Sequence, residues 1–412
     1  MPHDSRAFGR TALQQAALAF CLVSAPALHA EDRPYYIGVS QTFTHQSNVF
    51  KTRNNEIDDL VSSTGLLGGL DLNLGRQRVY LDGTVSANRH DERSELDNTS
   101  YSLSTGLDWE TVERLSGNVR YTARQSLTDF GVLGAPRTKN IVETQHALAN
   151  ARYGFVTRFG LEGGVEHRRI DYSASNERDT TQDVARLGVR WGGGGQLSLG
   201  LGVRVTKAET PQYQALVDPT PLNPFDEPVL GPVTPDEMDR RDIDLTVTWT
   251  PTGLSTINAR LSATDQEHTV ASRPSFSGLT GSLSWHYQPS DKLSTAVSLI
   301  RDTGNETTFI QGGFLGRQLV QIDTNRLNTV AQLEAAYEAT AKISMDASIR
   351  HRRSVVTALS GREFSSDATE YGLGARYEPT RSITLGCSVG YETRNDSYDT
   401  TITSCFGQFT LR

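Results

Sequence analysis

Apolar and polar residues alternate along short segments from about Tyr35 to the end of the chain. Alternation with a period of two is typical of β-strands that present one apolar face. Eighteen segments follow this pattern, and the connections between them are alternately short and long. Short turns on one side, long loops on the other and an even strand number are typical of barrels that cross a membrane. The pattern predicts an all-β fold: a transmembrane antiparallel up-and-down β-barrel of about 18 strands.

The predicted strands are bounded by turn residues such as Gly, Pro, Asn and Asp. They cover 35–44, 63–74, 77–89, 98–109, 113–125, 141–153, 157–170, 180–191, 196–207, 241–250, 254–264, 276–287, 292–301, 326–337, 342–352, 368–377, 382–392 and 401–411. With this count, both ends of the barrel domain lie on the side of the short turns. Because short turns of such barrels face the periplasm, we expect both termini to be periplasmic.

An aromatic residue opens seven of the eight short turns. Trp and Tyr rings are amphipathic and settle at the level of the lipid headgroups. A soluble sandwich has no reason to place aromatics at the same end of alternate strands. We therefore expect one aromatic girdle at one membrane face, in contact with outer-membrane lipid. Its members are Trp109, Tyr153, Trp191, Trp249, Tyr287, Tyr337 and Tyr377.

The opposite face of the strands carries many charges and is predicted to line the pore, since the apolar face must meet lipid. The candidate pore-lining residues are Arg114, Arg120, Arg124, Arg158, Arg186, Arg190, Arg204, Glu334, Asp346 and Glu370. One hypothesis is that a basic wall and an acidic wall face each other and orient charged solutes. The alternative is that these residues pair across neighbouring strands and stiffen the wall.

The connection 208–240 is a long, proline-rich segment that we expect on the extracellular side. It holds seven of the 15 prolines of the chain. Proline stiffens a loop and removes a donor for strand pairing. The segment is predicted to be either a lid over the pore or a surface loop.

The N-terminus resembles a secretory signal. Arg6 and Arg10 precede an apolar stretch, and small residues up to Ala30 offer a cleavage site. We therefore expect a signal peptide over 1–30 and a barrel over 31–412, in the outer membrane of a Gram-negative bacterium. No apolar run reaches about 18 residues, the length of a transmembrane helix. The net charge of −8 gives no reason to expect nucleic-acid binding.

Motifs for catalysis are absent from the sequence, which contains no H-E-x-x-H and no G-x-S-x-G. We expect no enzyme activity, no catalytic residue, no metal site and no cofactor. Cys387 and Cys405 lie on the last two predicted strands and come nearly opposite each other in a hairpin register. They form either a cross-strand disulfide or two lipid-facing thiols.

Two short stretches carry a resemblance to a known family. The first opens the mature chain and ends Ser47-Asn-Val-Phe50 with Lys51 after it, and the second runs from Leu96 to Trp109. They resemble the EpsL-like outer-membrane β-barrel proteins of exopolysaccharide operons, whose members tend to have Arg at the position of Lys51. The resemblance implies a pore for a secreted polysaccharide, working with a periplasmic polysaccharide-export protein.

Three functions are therefore open. The first is passive export of a polysaccharide, with energy supplied elsewhere because no nucleotide-binding motif is present. The second is a general diffusion porin for small solutes. The third is a structural or adhesive outer-membrane barrel, which tolerates a plugged lumen.

Overall fold

The barrel has eighteen strands, and most of them are longer than the sequence pattern predicts. The computed structural model describes residues 34–112, 114–131, 137–154, 158–192, 196–216, 230–271, 273, 275–303, 327–357, 363–395 and 397–411. The predicted signal peptide, 1–30, lies outside these residues.

In chain order the strands are β1 (Tyr35–Gln46), β2 (Asp59–Leu74), β3 (Gln77–His90), β4 (Asn98–Glu110), β5 (Leu115–Leu127), β6 (Ile141–Gly154), β7 (Phe159–Tyr172), β8 (Thr180–Trp191), β9 (Leu197–Thr210), β10 (Gln214–Leu216), β11 (Leu230–Val233), β12 (Asp236–Thr252), β13 (Ser255–His268), β14 (Phe276–Ser290), β15 (Leu293–Asp302), β16 (Leu327–Thr340), β17 (Ile343–Thr357), β18 (Glu363–Thr380), β19 (Ile383–Arg394) and β20 (Tyr398–Leu411). Two single-turn 3₁₀ helices, Ser94–Leu96 and Asn176–Arg178, lie in loops. No helix among the described residues is long and apolar enough to cross a membrane.

Every barrel strand pairs antiparallel with the next, and β1 pairs with β20 to close the ring. Closure leaves no sheet edge, which is what a sheet in hydrocarbon requires, since unpaired backbone groups find no water there. The strands β10 and β11 form a small separate two-stranded sheet, and β9 pairs directly with β12. The predicted 18-stranded antiparallel barrel is confirmed.

The predicted bounds of the proline-rich connection are wrong at both ends. β9 continues to Thr210, β12 already begins at Asp236, and β10 and β11 occupy part of the segment between them. From Asp236 to Arg241 the strand is polar on both faces except for the buried Met238, so the alternation that reveals a lipid-facing strand is missing. A membrane strand needs about 10 residues, and the 17 residues of β12 exceed that length. Because residues 217–229 lie outside the described part, a lid role stays a prediction.

The two ends of the barrel differ as expected. The connections at one end are turns such as 75–76, 253–254 and 381–382, and those at the other end are loops such as 47–58 and 211–235. Pro34 and Leu411 both lie at the short-turn end, because the start of β1 pairs with the end of β20. The side of the membrane on which this end lies stays a prediction.

Candidate functional site: the lumen of the barrel

The outer face of the barrel is apolar over a continuous belt. Leu66, Val165, Leu201, Ile243 and Leu373 are each more than half exposed although they lie in the middle of strands. Large exposed apolar surfaces are unfavourable in water and favourable in hydrocarbon. The structure is thus that of a transmembrane barrel, and its lumen is the candidate site.

The seven aromatic residues of the predicted girdle all lie on this outer face. Each lies near the end of a strand that leads into a short turn. Trp191, for example, is the last residue of β8 and lies opposite Leu199 of β9. Tyr287 stacks on Trp285 with ring centroids 5.6 Å apart. Their common height fits a contact with headgroups, and that role stays a prediction. The girdle residues on the outer face are Trp109, Tyr153, Trp191, Trp249, Tyr287, Tyr337 and Tyr377.

The arginines of β5 to β9, apart from Arg169, face the lumen. Arg120 donates from Nε to the Tyr80 hydroxyl at 2.9 Å, and Arg186 donates to Oδ1 of Asn150. Arg124 and Arg186 are exposed within the lumen. Neither a phenol nor a carboxamide neutralises a guanidinium. Glu166 on β7 interacts electrostatically with Arg186, so these side chains leave part of their positive charge facing the water of the pore.

Other lumen-facing arginines pair with carboxylates on neighbouring strands, as the alternative hypothesis expected. Arg190 and Arg152 both lie 3.2 Å from Oε1 of Glu162. Arg190 also donates from Nε to the Ser198 hydroxyl at 2.5 Å. Arg204 is buried and lies 3.3 Å from Oδ1 of Asp242. The two hypotheses thus apply to different residues of the same wall.

The predicted acidic residues lie across the ring from these arginines. In an 18-stranded ring, strands nine places apart face each other, so β5 faces β16 and β7 faces β18. Glu334 of β16 accepts from Gln332. Glu370 of β18 lies 2.9 Å from Arg350, so this wall is partly neutralised. Asp346 is half-buried and packs beside Gly374, where its carboxylate fills the space that a Cβ would occupy.

Two of the predicted pore-lining residues lie elsewhere. Arg114 and Arg158 belong to the short turns directly before β5 and β7, and both are exposed at the rim. Their backbone carbonyls accept from Gly154 and Gly192, so they hold the turns together. The predicted strands 113–125 and 157–170 begin two residues before β5 and β7, and this difference explains why both arginines are predicted on the wall.

A buried ionic network near the long-loop end was not predicted from the sequence. Arg240 is 1% exposed and donates from Nη1 to Asp302 at 2.6 Å and from Nη2 to Asp242 at 3.0 Å. Thr264 donates to the same Asp242 oxygen at 2.5 Å, and Thr280 lies 2.7 Å from Thr264. The spacing of Arg240 and Asp242, two apart on one strand face, is the signal that could have revealed it.

The two cysteines lie directly opposite each other on β19 and β20. Their side chains face outward, and the structure joins them in a disulfide with Cα atoms 4.1 Å apart. Of the two outcomes expected for Cys387 and Cys405, this is the bonded one. The bond lies on the lipid side and takes no part in the lumen.

Comparison with known proteins finds barrels of similar architecture. No family model and no curated protein matches the chain. The solved structure of OccAB3 from Acinetobacter baumannii has a TM-score of 0.45 and 9% identity, covering 92% of this chain and 99% of that one. OprD from Pseudomonas aeruginosa has a TM-score of 0.44 and 11% identity, covering 92% and 95%. OccK2 (OpdF) from Pseudomonas aeruginosa, solved in complex with glucuronate, has a TM-score of 0.46 and 10% identity, covering 92% and 98%. At this identity the likeness concerns the barrel architecture alone.

Proposed function

We propose that the chain is an outer-membrane pore for small hydrophilic solutes, in which opposed basic and acidic walls orient charged ones. The observation that carries the proposal is the coexistence of an apolar outer belt with charged side chains exposed inside the ring, such as Arg124 and Arg186. Barrels of 16 to 18 strands leave room for an aqueous channel. Exposed guanidinium groups in such a channel are available to passing anions.

Transport through this pore is passive. A solute exchanges part of its hydration for weak contacts with several wall residues, and no contact is strong enough to trap it. The positive residues on β5 to β9 and the acidic residues on β16 and β18 set up a field across the pore. A solute with separated charges crosses with its negative end towards the arginines.

The outer membrane of a Gram-negative bacterium is the compartment that fits this architecture. Closed antiparallel barrels with short turns at one end and long loops at the other are typical of that membrane. The short-turn end, where Pro34 and Leu411 lie, would then face the periplasm. We assign no catalytic step to the chain.

Export of a secreted polysaccharide through a periplasmic export partner is the alternative. It depends on the resemblance of two short stretches, and no family model adds support. A long polymer requires a pore that passes chains of many sugar units, whereas a diffusion porin excludes solutes by size.

A liposome-swelling assay with the full-length mature chain separates the candidates. Diffusion porins give swelling rates that fall steadily from monosaccharides to tetrasaccharides and reach zero for dextran, and this is the expected result. Entry of long dextran chains would favour export instead. Absence of swelling with every sugar, in liposomes where the barrel is folded, would identify a plugged structural barrel.

A further inference from the structure

The first long loop, residues 47–58, is fixed to the inside of the barrel mouth rather than extended away from it. Asn48 is fully buried, and its carboxamide donates to the carbonyls of Thr52 and Asp399 at 2.7 and 3.1 Å. The Thr52 N–H donates back to Oδ1 of Asn48 at 2.9 Å. The loop is thereby tied to the beginning of β20 and presents Lys51 towards the lumen.

Lys51 connects this loop to two other parts of the mouth. Its Nζ lies 2.8 Å from Oδ2 of Asp129, just after β5, and 2.7 Å from Oε2 of Glu392 on β19. The side chain of Lys51 is only 6% exposed. Burial alone would lower the pKa of Lys51, but the carboxylates of Asp129 and Glu392 outweigh it and raise that pKa above its usual value.

The two carboxylates belong to distant parts of the ring. Going round the wall from β19 to β5 passes β20, β1, β2, β3 and β4, which is six strand spacings. At about 4.8 Å for each spacing, the path along the wall is on the order of 29 Å. One ammonium group touches both sides. The contact therefore bridges the mouth instead of following the wall.

Further contacts strengthen the bridge. Arg394 of β19 donates to the backbone carbonyl of Gly131. The rings of Phe50 and Phe130 meet edge to face with centroids 5.0 Å apart. These contacts come from the same three segments that Lys51 joins. We call the set Phe50, Lys51, Asp129, Phe130, Glu392 and Arg394 the mouth clasp.

We propose that the mouth clasp sets the size limit of the pore. It divides the mouth into a small arc along β20 and β1–β4, which the loop 47–58 covers, and a wider arc along β6–β9 and β12–β18, which solutes use. The motif from Ser47 to Lys51, which carried the family resemblance, is then the segment that closes the small arc. The inference rests on the proposed pore function and names the residues that determine its selectivity by size.

The test compares two double variants in single-channel recordings. Lys51→Met/Arg394→Met removes the polar contacts of the clasp. The matched control, Lys207→Met/Arg169→Met, removes one lysine and one arginine that are exposed on the outer face. Because conductance follows pore diameter, the clasp variant is expected to conduct about 1.5-fold more than wild type and to admit larger polyethylene glycols. The control keeps the conductance and the size limit of the wild type.

Restoring the bridge covalently provides the converse experiment. Phe50→Cys and Phe130→Cys are added to the clasp variant and joined with a short, reducible bifunctional thiol reagent. The cross-link is expected to return the conductance to the wild-type level, and reduction to raise it again. If the clasp variant does not assemble, Asp129→Asn replaces it, since this change removes the ion pair between Lys51 and the segment after β5 and keeps both cations.

The possible failures are distinct. A wild-type barrel that folds and does not conduct contradicts the proposed pore function. A wild-type barrel that conducts, with a folded clasp variant of unchanged conductance and unchanged size limit, overturns the mouth clasp alone.

Discussion

Arg186 and Arg240 are the same residue type on the same face of neighbouring parts of the wall, and their surroundings are opposite. Arg186 is exposed in the lumen and bonds to the neutral carboxamide of Asn150. Arg240 is 1% exposed and is held by the carboxylates of Asp242 and Asp302. The first leaves its charge available to a solute, and the second has its charge neutralised by protein.

The difference shows that strand alternation determines whether a side chain faces the lumen or the lipid, but not whether it stabilises the barrel or contacts solutes. Asp242 follows Arg240 by two positions on one strand, and Asp302 reaches the guanidinium from β15. A buried ion is tolerated only where partners and hydrogen bonds replace its water. The Arg240 network therefore stabilises the barrel end, whereas the Arg186 region is suited to selecting solutes.

Breaking the buried network should have the largest effect. Arg240→Gln removes the cation that Asp242 and Asp302 share and leaves them only the more distant Arg204, at 3.3 Å, and Arg260, at 3.9 Å. We expect it to lower the free energy of unfolding by about 3 kcal/mol or more. Guanidinium unfolding of the barrel in lipid vesicles measures this quantity. A loss below about 1 kcal/mol would mean that the network is not the stabilising element we describe.

Removing one hydroxyl from the network should have an intermediate effect. Thr264→Val deletes a donor to Asp242 at 2.5 Å while the guanidinium contact remains. We expect a loss of about 1 to 2 kcal/mol in the free energy of unfolding. Thr246→Val, at an exposed threonine on the same face, is the control and should leave the stability unchanged.

The mouth clasp is a third charged cluster, and we expect only strong acid to break its ion pair between Lys51 and Asp129 within the pH range in which channels can be recorded. Partial burial opposes ionisation of Asp129, but Lys51 outweighs it and lowers the pKa of that carboxyl below 3.8. The ionised pair is therefore complete above the usual carboxyl pKa and is lost as the pH falls through the lowered one. Because the pKa of Lys51 is raised, alkali breaks the pair only above its usual range.

The lowered pKa of Asp129 and the raised pKa of Lys51 predict that the single-channel conductance is constant between about pH 5 and about pH 9. It should increase only in acid below the usual carboxyl range, and the Lys51→Met/Arg394→Met variant should lack that increase. Single-channel recording across this range provides the check. An increase centred near neutral pH would contradict the assignment.

Changing the exposed arginine should have the smallest effect on stability. Arg186→Gln is the same substitution as Arg240→Gln, yet we expect it to change the free energy of unfolding by less than about 0.5 kcal/mol. It should instead alter the ion selectivity slightly, because it removes one charge from the wall of the pore. If Arg186→Gln were as destabilising as Arg240→Gln, the comparison between the two regions would fail.

The strand count and the two faces could be predicted from the sequence because a lipid-facing strand must alternate. The outward positions of Trp191 and Tyr287 follow from the same rule. The segment Asp236–Arg240 was not predicted as strand because it is polar on both faces except for Met238. The different surroundings of Arg186 and Arg240 were not predicted either. They depend on Asp302, which pairs with Arg240 and lies 62 residues after it in the chain. The mouth clasp depends on three loops or strand ends that only the closed ring brings together.

The reversal potential in a salt gradient tests the central claim most directly. The measurement compares wild type with the variant in which Arg120, Arg124, Arg186 and Arg190 are all replaced by Gln. If these arginines line a conducting pore, the reversal potential of the variant shifts towards cation selectivity. An unchanged reversal potential, with the variant folded and conducting, would contradict the claim that this wall acts on solutes.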